Sequence, residues 1–182
     1  MKKHLMLAVG LALASLSTSA FAEGHGFVRF EAGRSNVEIS ADDFDNGDEN
    51  DTTWGVRGGY WFNPNIAVEG FYSQLYSQSF EDVRVKLHGV GVGLVAKKNF
   101  GGEHQGFFIG GRAGIARGVA TVEYDGDVEG DASSAKPYYG VGLGYDFSPA
   151  FGLSLNYDRL KAGEDGVNVR ANTLTLGVEA RF

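Results

Sequence analysis

Segment after segment of this chain alternates apolar and polar residues with a period of two. The closing stretch, NTLTLGVEARF, puts Leu174, Leu176, Val178, Ala180 and Phe182 on every second position, with Thr173, Thr175, Glu179 and Arg181 between them. That spacing marks a strand whose two faces meet different surroundings. The pattern recurs in FVRFEAGR, where Val28, Phe30 and Ala32 oppose Arg29 and Glu31, and in TWGVRGGYWF, where Trp54, Val56, Tyr60 and Phe62 oppose Arg57. IAVEGFYS sets Ile66, Val68 and Tyr72 against Glu69, although Phe71 breaks the rule. FFIGGRAGIAR, YYGVGLGYDF and FGLSLNYDR repeat it around Arg112, Asp146 and Asp158. VRVKLHGVGVGLVA supports two phases. The phase with Val90, Val92, Leu94 and Ala96 on the apolar side aligns its glycines with the glycine face of YYGVGLGYDF, and a bulge near Gly89 is the alternative. Eight strands are predicted.

Between them, tight turns at NPN (63–65) and SPA (148–150), and a modest one at 97–105, alternate with long polar links near 35–51, 73–82, 122–136 and 161–166. Short links therefore lie at one end of the sheet and long links at the other.

Two closed arrangements suit such strands: a soluble barrel with the apolar phase inside, or a membrane barrel with it outside. The charged phase carries many glycines. On a solvent face these would only weaken the strands, whereas inside a narrow eight-stranded barrel small residues around a few long charged ones fill a crowded lumen. Tyr60, Phe62, Phe107, Tyr145, Phe147, Phe151 and Phe182 share the apolar phase beside the short turns, where a membrane-interface girdle belongs. Nine residues from Leu174 to Phe182 match the length of a tilted strand crossing hydrocarbon. The predicted fold is an all-β, eight-stranded, antiparallel up-and-down transmembrane barrel.

The start of the chain changes the picture further. Lys2 and Lys3, the apolar run from Leu5 to Leu16 and Ala20-Phe21-Ala22 read as a secretory signal peptide over residues 1–22, with a signal anchor as the rival reading. Cleavage after Ala22 leaves a barrel domain over 23–182 and moves the formal net charge from −7 to −9. There is no cysteine, so neither disulfide nor thiolate chemistry is available. No apolar run near 18 residues follows the leader, so no transmembrane helix is expected.

The leader, the eight alternating strands and the aromatic end TLTLGVEARF together resemble the small Gram-negative outer-membrane barrels, closest in plan to the OmpA-like transmembrane domain and the OmpX/Ail adhesion-type group. The resemblance is architectural and spans the mature chain. It implies a location in the outer membrane with both termini periplasmic and four acidic loops outside. It also implies that Leu174, Leu176, Val178 and Phe182 are the signal read by the outer-membrane insertion machinery; the alternative is that Phe182 simply ends the girdle. No peptidoglycan-binding domain is expected after Phe182.

Within such a barrel the charged phase places Arg29, Glu31, Arg57, Glu69, Arg112, Asp146, Asp158, Glu179 and Arg181 in the lumen, with Arg57, Arg112, Glu31 and Asp158 nearest mid-depth. Buried charges must pair. The expectation is therefore a structural plug, with a narrow channel for ions or small solutes as the alternative. On the outward phase, Arg34, Arg84, Lys86, Arg117, Arg159 and Arg170 reach the long-link end. Lipopolysaccharide phosphates suit them as partners, and simple snorkelling is the competing reading.

The long links carry Asp42, Asp43, Asp45, Asp48, Glu49 and Asp51, and then Glu123, Asp125, Asp127, Glu129 and Asp131. Solvated loops are the plain reading; contact with a host or neighbouring surface protein rests on the resemblance. DGDVEG opens like a calcium loop, but its twelfth position is Lys136 instead of a bidentate Glu, so no metal site is assigned. An enzyme is not expected: His25, His88 and His104 are followed two places on by Phe27, Val90 and Gly106, so no His-x-Ser pair exists for lipid deacylation. No cofactor is implied, and a net acidic chain does not suit nucleic acid. The expected product is a monomeric envelope barrel in contact with outer-membrane lipid.

Overall fold

The structure, a computed structural model, describes residues 24–41, 44–80, 83–124, 127–132, 134–164 and 167–182. The proposed signal peptide lies outside these residues. The strands are β1 (His25–Ala41), β2 (Phe44–Asn63), β3 (Ile66–Phe80), β4 (Val83–Asn99), β5 (Gly106–Tyr124), β6 (Asp127–Ala132), β7 (Lys136–Ser148), β8 (Phe151–Glu164) and β9 (Val167–Arg181). Every paired neighbour is antiparallel. The order runs β4-β3-β2-β1-β9-β8-β7-β5, and pairing of β4 with β5 closes the ring.

β5 pairs with β7 from Gly106 to Ala116 and with β6 from Val119 to Tyr124. β6 and β7 therefore occupy one position in the wall, and the barrel has eight staves. At the seam between the first and last strands, Gly26 and Phe182 exchange two backbone hydrogen bonds of 2.9 Å. Closure matters because a backbone N–H or C=O left open to hydrocarbon has no partner.

Orientation follows from exposure. Leu155 pairs across the sheet with Leu143 and Leu176, and Leu153, Leu155 and Leu176 are 41%, 39% and 69% exposed. The apolar stripe is the outer surface. The alternate positions face inward and are buried, including the nine charges assigned to the lumen from the sequence.

The long links were expected to be loops, and here the structure corrects the reading. The β1–β2 ladder runs on through Glu38↔Asp48, and β5–β6 pairs through Tyr124↔Asp127. β2 has 20 residues, where about 9–11 cross the hydrocarbon. Beyond the lipid the outer face meets water, so the polar–apolar contrast that announces a strand disappears while backbone pairing continues. Likewise DGDVEG starts outside the described residues and continues as β6, an extended strand.

β4 explains its own ambiguity. Val92 and Leu94 are exposed, Val95 and Lys97 are buried, and Leu87 packs against the interior apolar cluster. The β4–β5 register is unbroken, so the phase with Val90, Val92, Leu94 and Ala96 outward holds along the strand, and the second apolar run is ambiguous only because Leu87 is an apolar residue on the inward side. The bulge lies on the neighbouring strand, where the β3–β4 register shifts between Gln74 and Tyr76; Leu75, at 2% exposure, follows Ala67, Glu69 and Phe71 into the interior by plain alternation. Phe71, which broke the alternation, is a lumen residue stacked 4.4 Å beneath the Arg57 guanidinium.

Paired glycine substitutions test this orientation. A Cβ on inward Gly91 would sit 2.6 Å from Ile115 O and 2.7 Å from Phe71 Cε1, whereas one on outward Gly70 meets nothing closer than 3.8 Å. Gly91→Val is expected to destabilise the folded barrel by about 1–3 kcal/mol, as overpacked interiors do, while Gly70→Val stays within about 0.5 kcal/mol. Urea titration in lipid bilayers, read as loss of the faster-migrating unboiled band, measures both.

Candidate functional site: an ionic lumen and a basic outer boundary

Alternation alone carries the lumen charges inward, and the barrel's small radius brings side chains from seven strands within reach of one another. Arg112 on β5 donates from Nε to Asp158 Oδ1 at 2.6 Å and from Nη1 to Glu31 Oε1 at 2.7 Å, and its Nη2 also contacts both carboxylates. Arg57 on β2 reaches Glu31 at 2.9 Å, Glu69 at 2.8 Å and Asp158 at 3.4 Å. These side chains, from five strands, form the central knot.

Arg29 links the knot to the short-turn end. Its Nη1 lies 3.7 Å from Glu31, and its Nε and Nη2 bind Glu179. Arg181 continues the chain from Glu179 (2.5 Å) to Asp146, and its Nη1 donates to Pro149 O at 3.0 Å.

Sequence reasoning missed Lys97 by assigning it to a turn. Its Nζ donates to Asp146 Oδ2 at 2.9 Å and lies over the rings of Trp61 and Phe108 at 4.6 and 4.9 Å. Extending the β4 alternation through Gly89, Gly91, Gly93 and Val95 leads directly to it. With Lys97 included, the buried set among the described residues is five cations and five carboxylates. Tyr138, also missed, donates to Glu69 Oε1 at 2.8 Å.

Apolar side chains close the network from both sides. Toward the short turns lie Phe27, Trp61, Ala67 and Val95; toward the long-link end lie Val37, Phe71, Leu75, Ala116, Tyr138, Leu160 and Ala171. Small residues around a few long charged ones were expected in the lumen, and the structure adds a buried aromatic set to them. Cavities of about 30 Å³ beside Glu31, Arg57 and Asp158 and about 20 Å³ beside Arg29, Lys97 and Arg112 remain. Each is room for one or two waters.

On the outer wall the rings separate into two bands. Near the short turns, Tyr60 meets Phe62, and Phe107, Tyr145, Phe147 and Phe151 follow one another at centroid spacings of 5.0, 5.0 and 5.9 Å. Phe182 is exposed beside them, as are Leu174, Leu176 and Val178 along β9. Toward the long-link end, Phe30, Trp54, Tyr72 and His88 form a ladder across four strands, and Tyr72 Oη lies 2.6 Å from His88 Nδ1.

The outward cations stand at that same end but are not equivalent. Arg34 and Arg117 are exposed. Arg170 lies 4.0 Å from Glu38. Arg159 is half-buried, with Nε lacking a partner. Lys86 is half-buried and pairs in register with Thr121, and Arg84 pairs with Glu123. Of the acidic loop residues, Asp42, Asp43 and Asp125 fall outside the described residues.

A closed antiparallel barrel with an apolar exterior, two aromatic bands and a paired ionic interior defines an integral outer-membrane barrel protein. The family of the outer membrane protein beta-barrel domain matches residues 8–182, and the chain belongs to that family. Its fold is shared with Ail, the attachment invasion locus protein of Yersinia pestis (23% identity, 87% of this chain and 99% of that one, TM-score 0.53). It is also shared with Neisserial surface protein A (20%, 86% and 97%, TM-score 0.66) and with the N-terminal barrel of Pseudomonas aeruginosa OprF (18%, 88% and 100%, TM-score 0.55). No curated protein sequence matches the chain. The protein is thus a component of the Gram-negative outer membrane.

Removing one member of the ionic knot strands its partners. Arg112→Met is expected to destabilise by about 3–5 kcal/mol, since Glu31 and Asp158 remain buried and charged. Arg112→Met combined with Glu31→Gln and Asp158→Asn should recover most of that loss. Urea unfolding of the three forms in bilayers decides; equal stability of the single and triple variants contradicts the pairing account.

Proposed function

We propose that this protein is a non-conducting structural barrel of the outer membrane. In this reading it engages anionic lipid at its outer boundary and other surfaces through its acidic extracellular strand ends. The observation that carries it is the lumen: an ionic layer in which, among the described residues, each buried charge has an opposite partner, set between two apolar clusters, with cavities of about 30 and 20 Å³ beside the pairs. Conduction would require separating ion pairs that hold one another in place at low dielectric. Export by cleavage after Ala22, and insertion directed by Leu174, Leu176, Val178 and Phe182, belong to the same reading.

The outer boundary supplies the lipid contact. Arg34, Arg117, Arg159 and Arg170, with Lys86, lie toward the long-link end of the wall, and Arg84 pairs there in register with Glu123. Guanidinium groups suit lipopolysaccharide phosphates through two parallel hydrogen bonds. A structure of Ail in complex with the heparin analogue sucrose octasulfate supports such a use of this fold, there with a polyanion. The acidic strand ends beyond the ring, including Asp48, Glu49 and Asp51 in β2, keep the outermost rim negative. A partner there would be a host or neighbouring surface protein.

Two measurements test the proposal. In planar bilayers the wild-type barrel should show no steady unitary conductance, and Arg112→Ala should raise leakage; a stable, sizeable wild-type channel overturns the sealed lumen. Replacing Arg34, Arg117, Arg159 and Arg170 by Gln should lower stability in lipopolysaccharide while leaving it unchanged in neutral detergent. An equal change in both media excludes specific lipopolysaccharide contact.

A further inference from the structure

The turn between β4 and β5, residues 100–105, folds back over the short-turn mouth of the barrel. His104 is its innermost residue. Although it belongs to a turn outside the membrane-spanning strands, its side chain is 4% exposed. Its ring meets Trp61 edge-on at 5.3 Å and His25 at 6.2 Å. The backbone is left-handed there, φ 48°, between Gly102 and Gly106 at φ 133° and 79°. Histidine tolerates that region better than most residues but seldom occupies it. His104 Nδ1 and the Trp61 indole N–H are both buried without a hydrogen-bond partner.

The charged neighbours come from three strands. Lys97 on β4 and Arg181 on β9 oppose an added proton; Asp146 on β7 and Glu179 on β9 favour one. Both carboxylates, however, are already held, Asp146 by Lys97 and Arg181, and Glu179 by Arg29 and Arg181. His25 on β1 is the remaining titratable contact.

We propose that residues 100–105 are an acid-released latch on the periplasmic mouth. Neutral His104 seats the turn against Trp61, and imidazolium leaves the slot and lets the turn swing outward. Burial, followed by Lys97 and Arg181, pushes the His104 pKa down to about 4, whereas a released, solvated imidazole titrates near 6.5. The open form therefore binds more protons between these limits, and the bias toward it grows as pH falls from about 6.5 to about 4. Opening would wet Trp61 and the Lys97–Asp146 pair. The ionic knot above stays intact, so the latch exposes a vestibule instead of opening a pore.

The chain holds two tryptophans, so Trp54→Phe leaves Trp61 as the reporter. The folded protein in lipid vesicles is followed by emission maximum and acrylamide quenching from pH 7.5 to 3.5, with unboiled migration checked at each pH. The latch predicts a red shift and at least a twofold rise in quenching between pH 6 and 4. It also predicts loss of both changes when His104→Phe, which keeps the ring stack, or His104→Gln is added. The same transition in both double variants assigns the effect to the carboxylates and overturns the latch, as does an unchanged signal down to pH 3.5.

Discussion

Hydrocarbon offers a peptide group no hydrogen-bond partner, and the rest of this structure depends on that constraint. Each N–H and C=O crossing the lipid must be satisfied by a neighbouring strand, so the sheet has to close on itself. The β1–β9 seam, down to the mutual bonds of Gly26 and Phe182, and the β4–β5 ladder meet this requirement. A barrel of only eight staves is narrow, and its narrowness dictates the interior. Glycines at Gly91 and Gly93 leave room where Phe71 and Tyr138 cross the lumen, and packed side chains occupy that space.

The interior is solved by charge balance. Ionised groups out of water are tolerated when each has several partners, and Glu31 illustrates how: it accepts from Arg57 and Arg112 and lies near Arg29. Such a network is weak evidence for net stability, because an apolar core of the same volume can be as stable. Its consequence is rather that the lumen has one well-determined filling, fixed by ten charges on eight strands. Loss of any member leaves a cost that its neighbours cannot relieve.

The two ends of the barrel differ in kind. At the short-turn end, rings and tight turns surround a mouth filled from within by Trp61, Lys97 and His104. At the long-link end the strands continue past the lipid, cations stand at the boundary, and acidic positions lie beyond. The two ends are therefore chemically distinct.

Much of this was legible in the residues. Period-two alternation determined that the chain forms strands, which positions share a face and, through the glycine-rich charged phase, that the greasy face points to lipid, because each of these depends only on neighbours two positions apart. Contacts between distant strands were not legible that way. That Lys97 completes the ion balance, that Phe71 and Tyr138 line the lumen and that β4 keeps one phase along its unbroken register with β5 depend on how far each strand extends and in what register, which backbone pairing settles and side-chain pattern does not. The same holds for His104: its sequence context is an ordinary polar turn, and only the curvature of the closed wall folds it back onto Trp61.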